Sequence, residues 1–299
     1  MTKKTILAEN PGGGKIESAA DYYSDLTDFY LAYGGEDGWH YGIWEEDIRT
    51  KSEALLRLND ILARDIEIEP GSRVLDVGCG IGAFAAWLAK KFGCRVMGIT
   101  VNPEHIKMAE GLAERLGVRD LCEFRVMDMN KMDLPDSSFK YIFNQETFCY
   151  GVDKHDYLRQ VLRLLRPGGI WSASAFALRN GVLSSAESVE YEKVRQGFRI
   201  PDLVSPFDVN KYLGGLGYVD IRYRDLTPLV LETARYIINC ARFPLLLFRL
   251  RIAWVFFRMR IEKRRHIRGH FLAGDTFSRG LIDGYFEYSL YRARKPHKK

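Results

Sequence analysis

The stretch Arg73-Val-Leu-Asp-Val-Gly-Cys-Gly-Ile-Gly82 decides how this chain is read. Its first half is a short apolar run suited to a strand buried on both faces. The run breaks at Gly78 and Gly80, where a backbone without side chains can turn tightly and approach a ligand. Apolar spacing becomes helical from Ile81 to Lys91, so the turn ends at a helix N-terminus with free N–H groups. A strand, a glycine turn and a helix together open an α/β unit that could take a ligand at the turn, a signal that is weak by itself.

The same alternation continues outward from this unit. Strands are expected over residues 95–100, 122–127, 141–144 and 170–176. Helices are expected from Pro103 onward and over 153–165, the latter stopped by Pro167-Gly168-Gly169. Upstream, residues 16–32 and 45–64 read as helices on either side of the turn-rich aromatic stretch from Tyr33 to Trp44. Downstream, helices are expected over 187–195, 206–216 and 276–283, with β-rich runs at 218–223 and 284–291. The fold class is therefore α/β, one doubly wound domain with a parallel sheet covered on both faces. Its parts are a helical lid (1–68), an α/β core (69–225), a basic apolar insertion (226–272) and a last helix and strand that complete the core sheet (273–299).

Composition excludes several classes. The 299 residues are 46% hydrophobic and 28% charged, the proportions of a globular protein able to bury a core without staples. Five cysteines, an odd number with no C-x-x-C pair, argue against a disulfide framework and for a reducing, cytoplasmic setting. The first fifteen residues hold charges but no apolar core of a signal peptide, and no long uncharged apolar run suggests a membrane span. Histidines and acids show no ligand spacing, so no metal is expected. Charge is asymmetric: residues 235–268 carry +9 and 269–299 carry +3, which leaves −7 on the first 234. An acidic body with a basic appendage does not fit a nucleic-acid binder.

The glycine turn alone also fits a G-x-G-x-x-A dinucleotide fingerprint through Ala83. A nicotinamide-dependent reductase would, however, place an acid about 20 residues on to hold the ribose. Here the second strand runs into Ile99-Thr-Val-Asn102, with no carboxylate.

Four further segments then fall in a recognisable order. Leu75 to Gly82 is similar to the first motif of class I S-adenosylmethionine-dependent methyltransferases, and Arg125-Val-Met-Asp128 with Leu134-Pro-Asp-Ser-Ser-Phe139 resembles their adenine segment. Asn144-Gln-Glu146 closes the fourth strand, Val161-Leu-Arg-Leu-Leu-Arg-Pro-Gly-Gly169 resembles their helix-to-strand turn, and Gly284 to Pro296 resembles their last strand. Gly98-Ile-Thr-Val-Asn-Pro-Glu104 and the lid stretch Trp39-His-Tyr-Gly-Ile-Trp44 are similar to the sterol, tocopherol and cyclopropane-fatty-acid methyltransferase group, which also lacks the acid after strand two.

The resemblance implies a seven-stranded sheet with its last strand antiparallel, and transfer of a methyl group from S-adenosyl-L-methionine to an apolar small molecule. A carbon of an isoprenoid or lipid-like acceptor is preferred, with O- or N-methylation of a natural product as the alternative. A methyltransferase-like subunit without catalysis is the reading from outside the enzymes. Asp76, Gly78, Gly80 and Gly82 would border the methionine and ribose, and Thr100 and Asn102 would face the ribose. Asp128 and Met129 would meet the adenine and Gln145 the methionine end, while Tyr22, Tyr23 and Trp39 would close over the sulfonium.

Glu146 would face the reacting carbon and steady its charge, or else be a structural carboxylate bonded to the lid. His40 and His155 are the candidate bases. The insertion over 236–268, with apolar runs at 244–248 and 252–257, would roof the cavity or pack on a second copy, or touch a membrane surface through its arginines.

Overall fold

The glycine turn sits at the centre of one seven-stranded sheet. In a computed structural model, which describes residues 17–35, 38, 40–179, 182–249 and 261–297, β1 (Arg73–Val77) pairs in parallel with β2 (Arg95–Thr100) and β4 (Phe139–Gln145). Outside β2 lies β3 (Cys122–Val126), and beside β4 lies β5 (Leu165–Leu178). The last strand, β7 (Phe286–Arg294), runs antiparallel between β5 and β6 (Val219–Asp225), so the order is β3-β2-β1-β4-β5-β7-β6. Central strands are buried on both faces, which is why β1 and β2 read as mostly apolar runs, Asp76 being the exception in β1.

Nine α-helices are described: α1 (Glu17–Gly34), α2 (Lys51–Ala63), α3 (Ala83–Phe92), α4 (Pro103–Arg115), α5 (Lys154–Leu164), α6 (Ser185–Phe198), α7 (Pro206–Gly215), α8 (Thr227–Arg249) and α9 (Ile261–Asp283). Two large groups of buried side chains flank the sheet, one with Phe84 and Phe143, the other with Trp171 and Tyr157.

The elements depart from the sequence expectation in three places. Residues 45–50 are not helical. Thr50 caps α2 with a full capping box, and the segment before it is held by Ile43 N–H on Ala54 O (2.9 Å) and Trp44 N–H on Leu229 O (2.8 Å). β5 begins at Leu165 rather than Ile170, the extra residues of the Pro-Gly-Gly turn being taken up as a register shift against β4. The helix expected over 276–283 is the end of a 23-residue helix that crosses the expected boundary at 272/273.

Glycines inside α9 hide its continuity in sequence and explain its packing. A Cβ on Gly197 of α6 would lie 2.2 Å from the carbonyl oxygen of Gly269, so α6 and α9 meet backbone to backbone. No described helix is long and apolar enough to cross a membrane, and all five cysteines are free thiols.

Candidate active site

A cavity of about 470 Å³ opens at the carboxyl ends of β1, β2 and β4, the edge at which open α/β sheets bind ligands. One side is the glycine turn with Thr100, Asp128 and Met129; the other is roofed by α1, α8 and α9.

Three glycines of the turn answer to different demands, although all have positive φ. A Cβ on Gly78 would lie 2.4 Å from the Thr147 side chain, and one on Gly82 would lie 2.6 Å from Ala109 of α4. A Cβ on Gly80 would meet nothing within 4 Å and Gly80 borders the cavity. Gly82 does not border it; helix packing, not ligand contact, requires that glycine. Beneath the turn, Asp76 is buried with Oδ2 unbonded, and burial pushes its carboxyl up to about 7. A buried acceptor without a donor, under a turn with open space over Gly80, fits a ligand that brings a donor or a positive charge.

Other expected cofactor residues divide. Tyr23, Gly78, Gly80, Thr100, Asp128, Met129 and Gln145 all border the cavity. Asp128 Oδ1 accepts from the Asn130 backbone N–H at 2.8 Å, so it caps a turn while facing the cavity. Gln145 gives its amide to Asn59 Oδ1 at 2.6 Å. Asn102 does not face the cavity: it caps α4 through Glu104 N–H (2.8 Å) and donates to Ser24 Oγ on α1 (3.2 Å). Tyr22 lies behind the wall, 1% exposed, with its hydroxyl 2.8 Å from His270 Nδ1. Trp39 lies outside the described residues.

The expected bases part in the same way. His155 is exposed on α5, edge-on to Tyr212 at 5.7 Å, and takes no part in the cavity. His40 borders the cavity. Glu146 does too, and at φ +57° it is a non-glycine residue held in the left-handed region at the end of β4, a strain that collects at functional sites. Its Oε1 accepts from the Tyr41 backbone N–H at 2.6 Å and from the Tyr288 hydroxyl at 2.7 Å. Burial raises its carboxyl to about 7, against the pull of those two donors. The lid contact and the cavity-facing position, posed as alternatives by the sequence, are both present.

Several wall residues went unnoticed in sequence. Phe198, His270 and Phe271 line the cavity on the side of α6 and α9, and Tyr288 reaches Glu146 from the far end of the chain. A usable signal existed for His270, which follows His266 at i+4 on one helix face; Asp25 meets His266 at 2.9 Å as Tyr22 meets His270.

Residues 68–204 match a family described as methyltransferase domain. That stretch of the core is similar to methyltransferase domains. Methyltransferase GfsG of Streptomyces halstedii is 32% identical over 171 residues, covering 56% of this chain and 61% of that protein. Cycloartenol-C-24-methyltransferase of Arabidopsis thaliana is 29% identical over 199 residues, 64% of this chain and 58% of that protein. The chain thus covers about three fifths of these curated relatives. A geranyl diphosphate C-methyltransferase of Streptomyces coelicolor, solved with geranyl-S-thiolodiphosphate and S-adenosyl-L-homocysteine, superposes with a TM-score of 0.71 at 19% identity over 93% of this chain and 97% of that one. The two chains share one fold, here a sheet with β7 antiparallel among six parallel strands.

Proposed function

We propose that the protein transfers a methyl group from S-adenosyl-L-methionine to a carbon of an apolar, isoprenoid- or lipid-like acceptor. One observation carries the reading: a single cavity joins the Gly78–Gly80 turn, with the unbonded Asp76 beneath it and outside the cavity lining, to an aromatic compartment bordered by Glu146. The curated likeness to a sterol-type carbon methyltransferase supports it.

Gly78, Gly80, Thr100, Asp128, Met129 and Gln145 would hold the cofactor, with Asp76 answering it from below. When bound, the cofactor supplies a methyl carbon on a positively charged sulfur. The rings of Tyr23, Tyr30 and Tyr150 border that side and offer faces to a cation. Phe176, Phe198 and Phe271 give the acceptor compartment an apolar wall, which excludes water and aligns an apolar molecule. Glu146 acts on the acceptor: as a carboxylate it stabilises positive charge developing there, or takes the proton released.

Replacing Glu146 by Gln tests this. It keeps the shape, and should lower kcat by ~10²-fold or more with S-adenosylhomocysteine affinity intact. Near-normal turnover would make Glu146 structural. A pH profile does not separate the two roles. With its carboxyl raised to about 7, Glu146 gives a rate rising through neutrality in either role. Nuclear magnetic resonance of product made with a labelled methyl group identifies the atom.

The exposed face of α8 carries Arg235, Tyr236, Arg242, Phe243 and Leu246, a basic and apolar mixture that supports contact with an anionic membrane surface. The apolar runs of 252–257 lie outside the described residues. Co-flotation with anionic but not neutral vesicles is expected; concentration-dependent dimers without flotation would favour a second copy of the chain instead.

A further inference from the structure

Both donors that reach the Glu146 carboxyl meet the same atom. Tyr41 N–H and the Tyr288 hydroxyl lie 2.6 and 2.7 Å from Oε1, and Oε2 receives no donor among the described residues. Because Glu146 borders the cavity, its second oxygen is the one left for a ligand. An oxygen that already accepts two hydrogen bonds is the poorer site for a proton, since a proton there would face two donors. When the group is neutral its hydrogen therefore sits on Oε2.

We infer that Tyr288 is a positioning residue: its hydroxyl commits Oε1 and makes Oε2 the single atom through which Glu146 meets the acceptor. Tyr288 is built for that task. Its ring is buried, 5.7 Å from the Tyr41 ring and 6.0 Å from that of Phe176, and Thr227 Oγ1 accepts from its backbone N–H at 3.0 Å. The strand and the ring packing thus fix the hydroxyl before any ligand arrives. Tyr41 supplies the second donor from its main chain, so the two bonds come from opposite ends of the sequence.

Other titratable groups around Glu146 are Tyr23 and Tyr30 of α1, Tyr41, Cys149 of the turn after β4, and Tyr288 itself; burial pushes all five upward, so they stay neutral near pH 7. His40 borders the same cavity, and for that reason the test reads the Glu146 carboxyl directly. The inference rests on the methyltransferase reading for its acceptor, not for the geometry.

Tyr288→Phe keeps the ring and removes the hydroxyl. Carboxyl carbon resonances of labelled glutamate, with the Glu146 signal assigned by its loss in Glu146→Gln, give the titration in the free protein. Losing a donor to the charged form should raise the proton affinity of Glu146 about tenfold. The rising limb of kcat against pH should move up with it, while S-adenosylhomocysteine affinity stays within twofold. Incorporation of 3-fluorotyrosine at 288, a stronger donor of the same shape, should move both in the opposite direction, and decides the matter if the phenylalanine variant folds poorly. An unmoved titration overturns the inference, as does a moved titration with an unmoved rate limb. If the unaltered protein binds no S-adenosylhomocysteine, the methyltransferase reading fails, and the titration alone still decides the role of Tyr288.

Discussion

The Tyr22 hydroxyl lies 2.8 Å from His270 Nδ1, joining α1 to α9 across 248 residues of chain. Burial lowers the His270 imidazole to about 4, so it is neutral at pH 7. A folded value below the unfolded one (about 6.5) means stability that is complete above pH 6.5 and lost as pH falls towards 4. The loss for this one group is on the order of 3 kcal/mol. His105, also lowered to about 4, adds in the same direction. Asp76 and Glu146, both raised, act oppositely across that range. The difference between His270→Gln and unaltered protein isolates the effect. Urea unfolding should show that difference shrinking between pH 7 and pH 4; a constant gap would contradict a neutral His270.

Asp76 should trade stability for binding. Its folded value of about 7 lies above the unfolded one, so its contribution is complete below about pH 4 and is lost as pH rises through 7. Asp76→Asn removes the buried charge. At pH 8 the ligand-free variant should be the more stable by roughly 2–4 kcal/mol, with the two proteins converging near pH 4. Calorimetry should meanwhile find S-adenosylhomocysteine affinity reduced at least tenfold. Equal stability at pH 8 would show that the carboxylate has a partner.

Glycines of the turn should separate in mutagenesis. Gly80→Ala faces open space, so its cost to the fold is the positive φ alone, about 1–2 kcal/mol. Cofactor-product affinity should fall tenfold or more. Gly82→Ala meets Ala109 and the Phe124 ring, and should destabilise by several kcal/mol whether or not ligand is present. Thermal unfolding with and without S-adenosylhomocysteine distinguishes the two; matching behaviour would remove the evidence that Gly80 makes room for a ligand.

Local pattern accounts for what the sequence revealed. The strands and glycine turn of the core are written in short-range signals, a buried run, a Gly at positive φ, a Pro at the first turn of α4, and all but the early start of β5 lie close to where expected. Residues with two candidate employers were misjudged. Asn102 was read as a ribose contact and is a helix cap bonded to the lid; Tyr22 was read as a face for the sulfonium and is tied to His270. His155 had only its type to recommend it. Tyr288 escaped notice because its role depends on a partner 142 residues away, which no local spacing encodes; for His270 the i+4 spacing from His266 was legible, but its partner Tyr22 was not.

Gly197 and Gly269 stand next in sequence to Phe198 and His270, whose rings lie 5.4 Å apart in the acceptor wall. Helices that meet through side chains can spread when rotamers change; these two have only main chain between them at that point. Their separation is a caliper setting, fixed by the thickness of peptide backbone rather than by any choice of side chain. A larger acceptor therefore cannot be admitted by loosening the wall, only by shaving a ring from it. If the proposed methyl transfer holds, diversification towards new acceptors should leave the two glycines alone and run through Phe198 and Phe271.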